Sequence, residues 1–254
     1  MQGEERKRAI LNKVQESKSV EVEDLAIEFN VSTMTIRRDL AELDKKGLLV
    51  RTHGGALKTE NEINVFSNFD LRIGDNKEKK IEICKIAARF IQDNDILFLD
   101  CGSTLFHLST LMGNFKNLRV ITNSLPIVSE LLNYPNIKVN LIGGEMDPNR
   151  KATYGRISSE NIQEYHATKA FVGADGVSIT GGISSYDEKE STITKSFIAN
   201  ADKVFLLCDS TKLEKNSFVK FASIQNIDCL ITDSKASKEH ISLYANNNIK
   251  IVYS

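Results

Sequence analysis

Five residues in one short stretch, Ser32, Thr33, Thr35, Arg37 and Arg38, carry the groups that bind phosphate oxygens and base edges. Hydroxyls donate single hydrogen bonds. A guanidinium grips a phosphate, or the O6 and N7 of guanine, through a bidentate fork. If these residues open a helix, its positive N-terminal end adds attraction for phosphate. Further on, Arg51 and His53 precede the pair Gly54–Gly55, which sets a cation and an imidazole beside a tight turn.

A second set of polar residues follows apolar runs, where strands would end. Asp100-Cys101-Gly102-Ser103-Thr104 combines a carboxylate, a permissive glycine and two hydroxyls. The N–H groups after such a glycine form a nest for an anion. Thr122-Asn123-Ser124, Gly143-Gly144, Gly173-Ala174-Asp175-Gly176 and Asp209-Ser210-Thr211-Lys212 repeat the theme. Gly102, Ser103, Thr104 and Lys212 suit a phosphate. Asp100, Asn123, Asp175 and Glu190 suit the hydroxyls of a sugar, and Thr122 and Ser124 are further candidates for the same effector site. In open α/β sheets, ligands bind beyond the carboxyl ends of the strands.

Positioning the first set takes three helices and a hairpin. Residues 4–17 carry Ile10, Leu11 and Val14 on one stripe, and residues 23–29 turn Leu25, Ala26 and Phe29 inward. Ser32 stands where an N-cap belongs. Ile36, Leu40 and Leu43 recur at i, i+4 and i+7 in a third helix reaching about residue 46. Gly47 provides the stop. Packing that stripe inward leaves Thr33, Met34, Arg37 and Arg38 on the flank and outer face. Residues 48–52 and 56–58 read as strands around the His53–Gly54–Gly55 turn. This is a winged helix-turn-helix pattern, whose third helix enters the major groove of double-stranded DNA by its N-terminus.

The second set needs a sheet. Short continuous apolar runs near residues 96–100, 118–122, 139–142, 170–173, 204–208, 229–232 and 249–252 alternate with helical stretches. Strands of that kind are buried on both faces, as in a parallel sheet covered by helices. The expected fold class is α/β: a winged helix-turn-helix domain at 1–57, a linker at 58–75, and an open α/β sheet domain for effector sensing at 76–254.

Composition narrows the class of function. With 33 Lys plus Arg against 34 Asp plus Glu, the net charge is −1, which excludes a broadly basic protein or an acidic tail. In the first 60 residues acids gather at Glu21, Glu23, Asp24 and Glu28, and bases at Arg6–Lys7–Arg8, Arg37–Arg38, Lys45–Lys46 and Arg51. Such separation can build one basic face on a neutral segment. Cys84, Cys101, Cys208 and Cys229 are too scattered for a CxxC pair and suit a reducing cytosol. No apolar run reaches the roughly 20 residues of a membrane span, and no secretory leader is read at the N-terminus. A cytoplasmic protein is expected, with no metal and no cofactor.

Val31-Ser32-Thr33-Met34-Thr35-Ile36-Arg37-Arg38-Asp39-Leu40, then Leu43, then Arg51-Thr52-His53-Gly54-Gly55-Ala56, resembles the DNA-binding signature of DeoR-family bacterial transcriptional regulators. The five strand-end loops, with the run from Glu190 to Lys195, resemble the sensor domain of that family. That domain is similar in fold to ribose-5-phosphate isomerases and coenzyme A transferases. The resemblance implies a repressor that holds operator DNA through residues 1–57 and answers to a phosphorylated sugar or related metabolite. A homo-oligomer, dimer or tetramer, would present paired recognition helices to operator half-sites.

An isomerase-like enzyme fused to a DNA-binding domain is the alternative. The isomerases use an Asp-Gly-Ala-Asp-Glu stretch. Here Val172-Gly173-Ala174-Asp175-Gly176 retains only the second acid, which thins the carboxylate set a general base needs. His107 falls on an apolar helix, and His166 and His240 have no evident partner. No Ser-His-Asp order is present, so a regulator is expected and not an enzyme.

Overall fold

The computed structural model describes residues 3–59 and 68–254 and divides into two compact units, with the boundary between Arg72 and Ile73. In the first unit α1 (Gly3–Ser17), α2 (Val22–Glu28) and α3 (Thr33–Lys45) bury Ile10, Leu11, Val14, Leu25, Ile36, Leu40 and Leu43 in one core. Ser32 caps α3 by accepting a hydrogen bond from the Thr35 N–H at 3.2 Å. Gly47 ends that helical segment with φ of 67°, a left-handed conformation that costs glycine little.

The wing has three strands where two were expected. β2 (Leu49–Arg51) and β3 (Gly55–Lys58) form the hairpin, and β1 (Ser19–Glu21) pairs with β3 on its other side. β1 is short and polar and carries no alternation a sequence could show. Its pairing is tight: a Cβ on Gly55 would lie 1.9 Å from the Val20 carbonyl oxygen. Of the expected linker, residues 60–67 lie outside the described residues. Beyond them α4 (Phe69–Arg72) forms one helical turn with Phe69 buried, and Leu71 packs on the first unit's core.

In the second unit all seven expected strands form, and every pairing among them is parallel. They are β4 (Ile96–Leu99), β5 (Leu118–Thr122), β6 (Ile137–Leu141), β9 (Ala167–Gly173), β12 (Ala201–Leu207), β14 (Cys229–Ile231) and β15 (Ile251–Val252). Their order is β15-β14-β12-β9-β4-β5-β6. Side chains alternate between two cores: Phe98 and Val172 face one, while Leu97, Leu99 and Phe171 face the other. Helices α5 (Lys77–Ala88), α6 (Ser103–Ser109) and α7 (Leu125–Leu131) cover the second core; α8 (Arg156–Gln163), α9 (Glu188–Ala199) and α10 (Lys238–Asn246) cover the first.

The order fixes where a ligand can sit. From β4 the chain builds toward β6, then returns to β9 on the other side of β4 and builds toward β15. The strand order therefore reverses between β4 and β9, and their connections diverge to opposite faces. Around that point lie the hairpin β7 (Glu145–Asp147) with β8 (Ala152–Tyr154), and a small sheet of β10 (Gly176–Ser178), β11 (Gly182–Ser185) and β13 (Val219–Ala222). None of these five strands was expected.

Candidate functional site

On the first unit, Ser32, Thr33, Arg37 and Arg38 are exposed and Thr35 is half-buried. Thr33 and Arg37 share one line of α3, Met34 and Arg38 the next, because residues four apart stack on a helix face. Met34 is 73% exposed, so an apolar side chain capable of meeting a thymine methyl stands among the polar ones. Arg37 makes no ion pair among the described residues. Arg38 lies 3.6 Å from Glu42, which also accepts from Lys7 at 2.6 Å.

Beneath this face is a contact that sequence reasoning missed. Arg6, grouped above with a basic cluster, is buried and donates from Nε to Asp39 Oδ2 at 2.6 Å and from Nη2 to Oδ1 at 3.3 Å. Asp39 sits on the inner face of α3, directly after Arg37–Arg38. The pair ties α3 to α1. Removing one partner of such a pair strands a buried charge and costs about 3–5 kcal/mol. The partners are 33 residues apart, so no local pattern announces them.

On the wing, Arg51, His53 and Gly54 are exposed. Gly55 departs from the expectation of an open turn: it is buried against β1, and its place in the motif follows from that close approach.

The sensor rim is organised differently. Asp100, Thr122, Asn123 and Ser124, expected as effector-binding residues, are essentially buried. Asp100 accepts from the Cys101 N–H at 2.9 Å, the Gly173 N–H at 3.3 Å and Thr194 Oγ1 at 3.0 Å. It thus staples the β4 and β9 ends at the point of reversal. Burial, with the nearby Glu190 charge, pushes its pKa up to about 6. Asn123 donates to the Thr153 carbonyl at 2.9 Å, while its buried Oδ1 has no partner. Ser124 caps α7, and Thr122 Oγ1 accepts from the Ser124 N–H. Gly102 is half-buried. The Ser103 and Thr104 hydroxyls, though largely buried, make no hydrogen bond among the described residues.

Asp175, Glu190 and Lys212 are brought together. Lys212 Nζ donates to the Ala174 carbonyl at 2.7 Å and lies 3.8 Å from Asp175. Ser185 Oγ sits 3.1 Å from Asp175 and 3.0 Å from Glu190, so its single proton serves one carboxylate at a time. Glu190 pairs at 2.8 Å with Arg150, a buried cation from the β7–β8 turn that was not foreseen. Burial lowers the Arg150 pKa, but Glu190 and Asp175 outweigh it and hold the guanidinium firmly protonated. The contacts run in one chain from Lys212 through Asp175, Ser185 and Glu190 to Arg150, with a cation at each end and two carboxylates sharing one hydroxyl between them.

The catalytic alternative loses ground in the same loop. Val172 is a buried strand residue of the core. A Cβ on Gly176 would lie 2.6 Å from the Lys215 carbonyl oxygen, so an acid at 176 has no room, and one at 172 would sit in the apolar core. His107 is buried and bonded to the Ile73 carbonyl oxygen at 3.1 Å, and His166 does have a partner, Asp202, at 2.8 Å. All four cysteines are buried and free. A cavity of about 330 Å³ between Lys195, Phe221, Asp202 and Asp228 lies at the opposite end of β12 from this rim.

Two family models match the chain: a DeoR-like helix-turn-helix domain over residues 6–62 and a DeoR C-terminal sensor domain over residues 75–234. The chain belongs to the DeoR family of DNA-binding transcriptional regulators. It is 34% identical to the lactose phosphotransferase system repressor of Lactococcus lactis, covering 93% of each chain. It is 33% identical to the transcriptional regulator GolR of Listeria innocua, covering 92% of each. Among solved structures, ribose 5-phosphate isomerase A of Methanocaldococcus jannaschii is similar over 55% of each chain, at 21% identity and a TM-score of 0.40. No helix among the described residues is long and apolar enough to cross a membrane.

Proposed function

We propose that this regulator is a cytoplasmic repressor of a carbohydrate catabolic operon, released from its operator by a phosphorylated sugar bound at the strand-end rim. The observation that carries it is the exposed first turn of α3, where Ser32, Thr33, Thr35, Arg37 and Arg38 surround Met34 above the buried Arg6–Asp39 pair. Recognition helices contact base edges with these N-terminal positions. Lys212, held between Ala174 and Asp175, supplies the rim's phosphate-binding cation, and the Ser103 and Thr104 hydroxyls supply donors. Two or more subunits would supply paired helices for a two-part operator. A coupling of about 1–3 kcal/mol between rim and operator suffices for regulation. The name of the lactose phosphotransferase repressor supports a carbohydrate operon.

The test is a gel shift on DNA upstream of the protein's own gene across a salt series. Expected are binding that weakens log-linearly with salt and release by one member of a sugar-phosphate panel. Binding that no sugar phosphate reverses would remove the effector half of the proposal. Turnover of ribose 5-phosphate by the same preparation would favour the isomerase-like alternative.

A further inference from the structure

Arg150 stands apart from the other cations of the rim. Its side chain is 6% exposed, yet only one edge of the guanidinium is used: Nη2 reaches Glu190, while the buried Nε has no acceptor. A buried donor without a partner is destabilising, and burying a large cation in this way needs a reason. A plain counter-ion for Glu190 would not require it, since a lysine supplies charge without a planar fork. The turn that carries Arg150 is itself built to hold it. Asp147 Oδ1 accepts from the Asn149 N–H at 2.8 Å and the Arg150 N–H at 3.1 Å.

The surroundings show which oxygen Nε would take. Arg150 enters from the β7–β8 turn, in the field of Asp175 and Glu190, at the end of the contact chain opposite Lys212. The same hairpin anchors Asn123, whose buried Oδ1 is an acceptor without a donor. The hairpin thus borders one orphan donor and one orphan acceptor, and the several hydroxyls of a sugar offer both functions. Phosphate oxygens accept only, so they would leave Asn123 unsatisfied.

Resting on the effector reading above, we infer that Arg150 reads the polyol end of the effector. Its Nε donates to a sugar hydroxyl or carbonyl oxygen while Lys212 holds the phosphate. The β7–β8 hairpin then acts as the specificity arm of the rim, and the Glu190 contact keeps the guanidinium in place.

The test is a thermal-shift titration of the full-length protein with a panel of hexose and pentose phosphates and with inorganic phosphate, in wild type, Arg150→Lys and Arg150→Gln. Arg150→Lys keeps a charge beside Glu190 and removes the Nε donor. It is expected to keep the unliganded melting point near wild type, to weaken the preferred sugar phosphate at least tenfold, and to leave inorganic phosphate unchanged. Arg150→Gln is expected to show the same selective loss, with a lower unliganded melting point. Wild-type affinity for the sugar phosphate in Arg150→Lys would overturn the inference and leave the effector reading standing. Equal loss of both ligands together with a lower melting point would make Arg150 structural and would also overturn it. No stabilisation of the wild type by any sugar phosphate would overturn both readings at once.

Discussion

The two units use the same residue types in opposite ways. On the first, arginines and hydroxyls stand in solvent, held by an ion pair placed underneath. On the second, arginine, lysine, aspartate and glutamate are turned toward one another at the ends of the strands. A surface that must meet a polyanion keeps its donors exposed, since each neutralised phosphate contributes by releasing counterions. A rim that must respond to a metabolite can keep its polar groups paired at rest and exchange those pairs for ligand contacts. The first arrangement gives standing affinity; the second gives a difference between two states, which regulation requires.

The sharpest way to break this contrast is Asp39→Ala. It is expected to destabilise the first unit by about 3–5 kcal/mol, because Arg6 remains buried without a counter-charge. In calorimetry the second unit should melt as before, while operator binding disappears. Loss of both transitions together would show that the ion pair is not local to the reading head. Next in size, Lys212→Ala should leave operator affinity intact and abolish release by the sugar phosphate, seen in gel shifts with and without ligand. Normal release would take Lys212 out of the phosphate site.

Arg37→Ala and Arg38→Ala sharpen the comparison on the DNA side. An arginine that reads a base costs about 1–3 kcal/mol and relaxes sequence preference, whereas one on phosphate lowers the salt slope by about 1. Unchanged affinity for Arg38→Ala would assign the reading to Arg37 or the threonines. A further test concerns Asp100, whose folded pKa of about 6 lies above that of an unfolded aspartate. The folded form then binds the extra proton, so this group favours folding at low pH. That contribution is lost as pH rises from about 4 through 6. Asp100→Asn should flatten this part of the stability profile of the second unit, followed by urea denaturation at pH 4.5 and 7.5. A profile with the wild-type slope would show that Asp100 is ionised throughout.

Much of this was legible in the residues. Ile36, Leu40 and Leu43 fix the orientation of α3 by spacing alone, and Ser32 with Gly47 fixes its ends. The seven parallel strands were visible because strands buried on both faces read as unbroken apolar runs. What stayed hidden depends on partners far away in sequence. β11 is Gly182-Ile183-Ser184-Ser185, which shows no apolar alternation; its hairpin with β10 is local, but its other edge is held by β13, with Ser185 opposite Val219 and Ile183 opposite Ala222. Asp100 and Asn123 carry the right chemistry for a sugar, and only the fold shows that the Asp100 carboxylate is taken up by two backbone N–H groups and Thr194, and the Asn123 amide N–H by the Thr153 carbonyl. Arg150 and Arg6 gave no signal, since an arginine amid polar residues looks the same whether it ends in water or in a core.

The reversal of strand order has a mechanical consequence. The two halves of the sheet meet along three residue pairs, from Leu97–Lys169 to Leu99–Phe171, with the Lys169–Asp95 ion pair at one end and the Asp100 staple at the other. The outer strands are held less, with β15 meeting β14 along two pairs, so opening below the global unfolding temperature is expected to begin at that edge and to reach the seam last. A metabolite bridging the rim would add to the clasp that Asp100 already makes across the seam. Amide exchange at Phe171–Gly173 is therefore expected to slow on binding before exchange at either outer edge of the sheet.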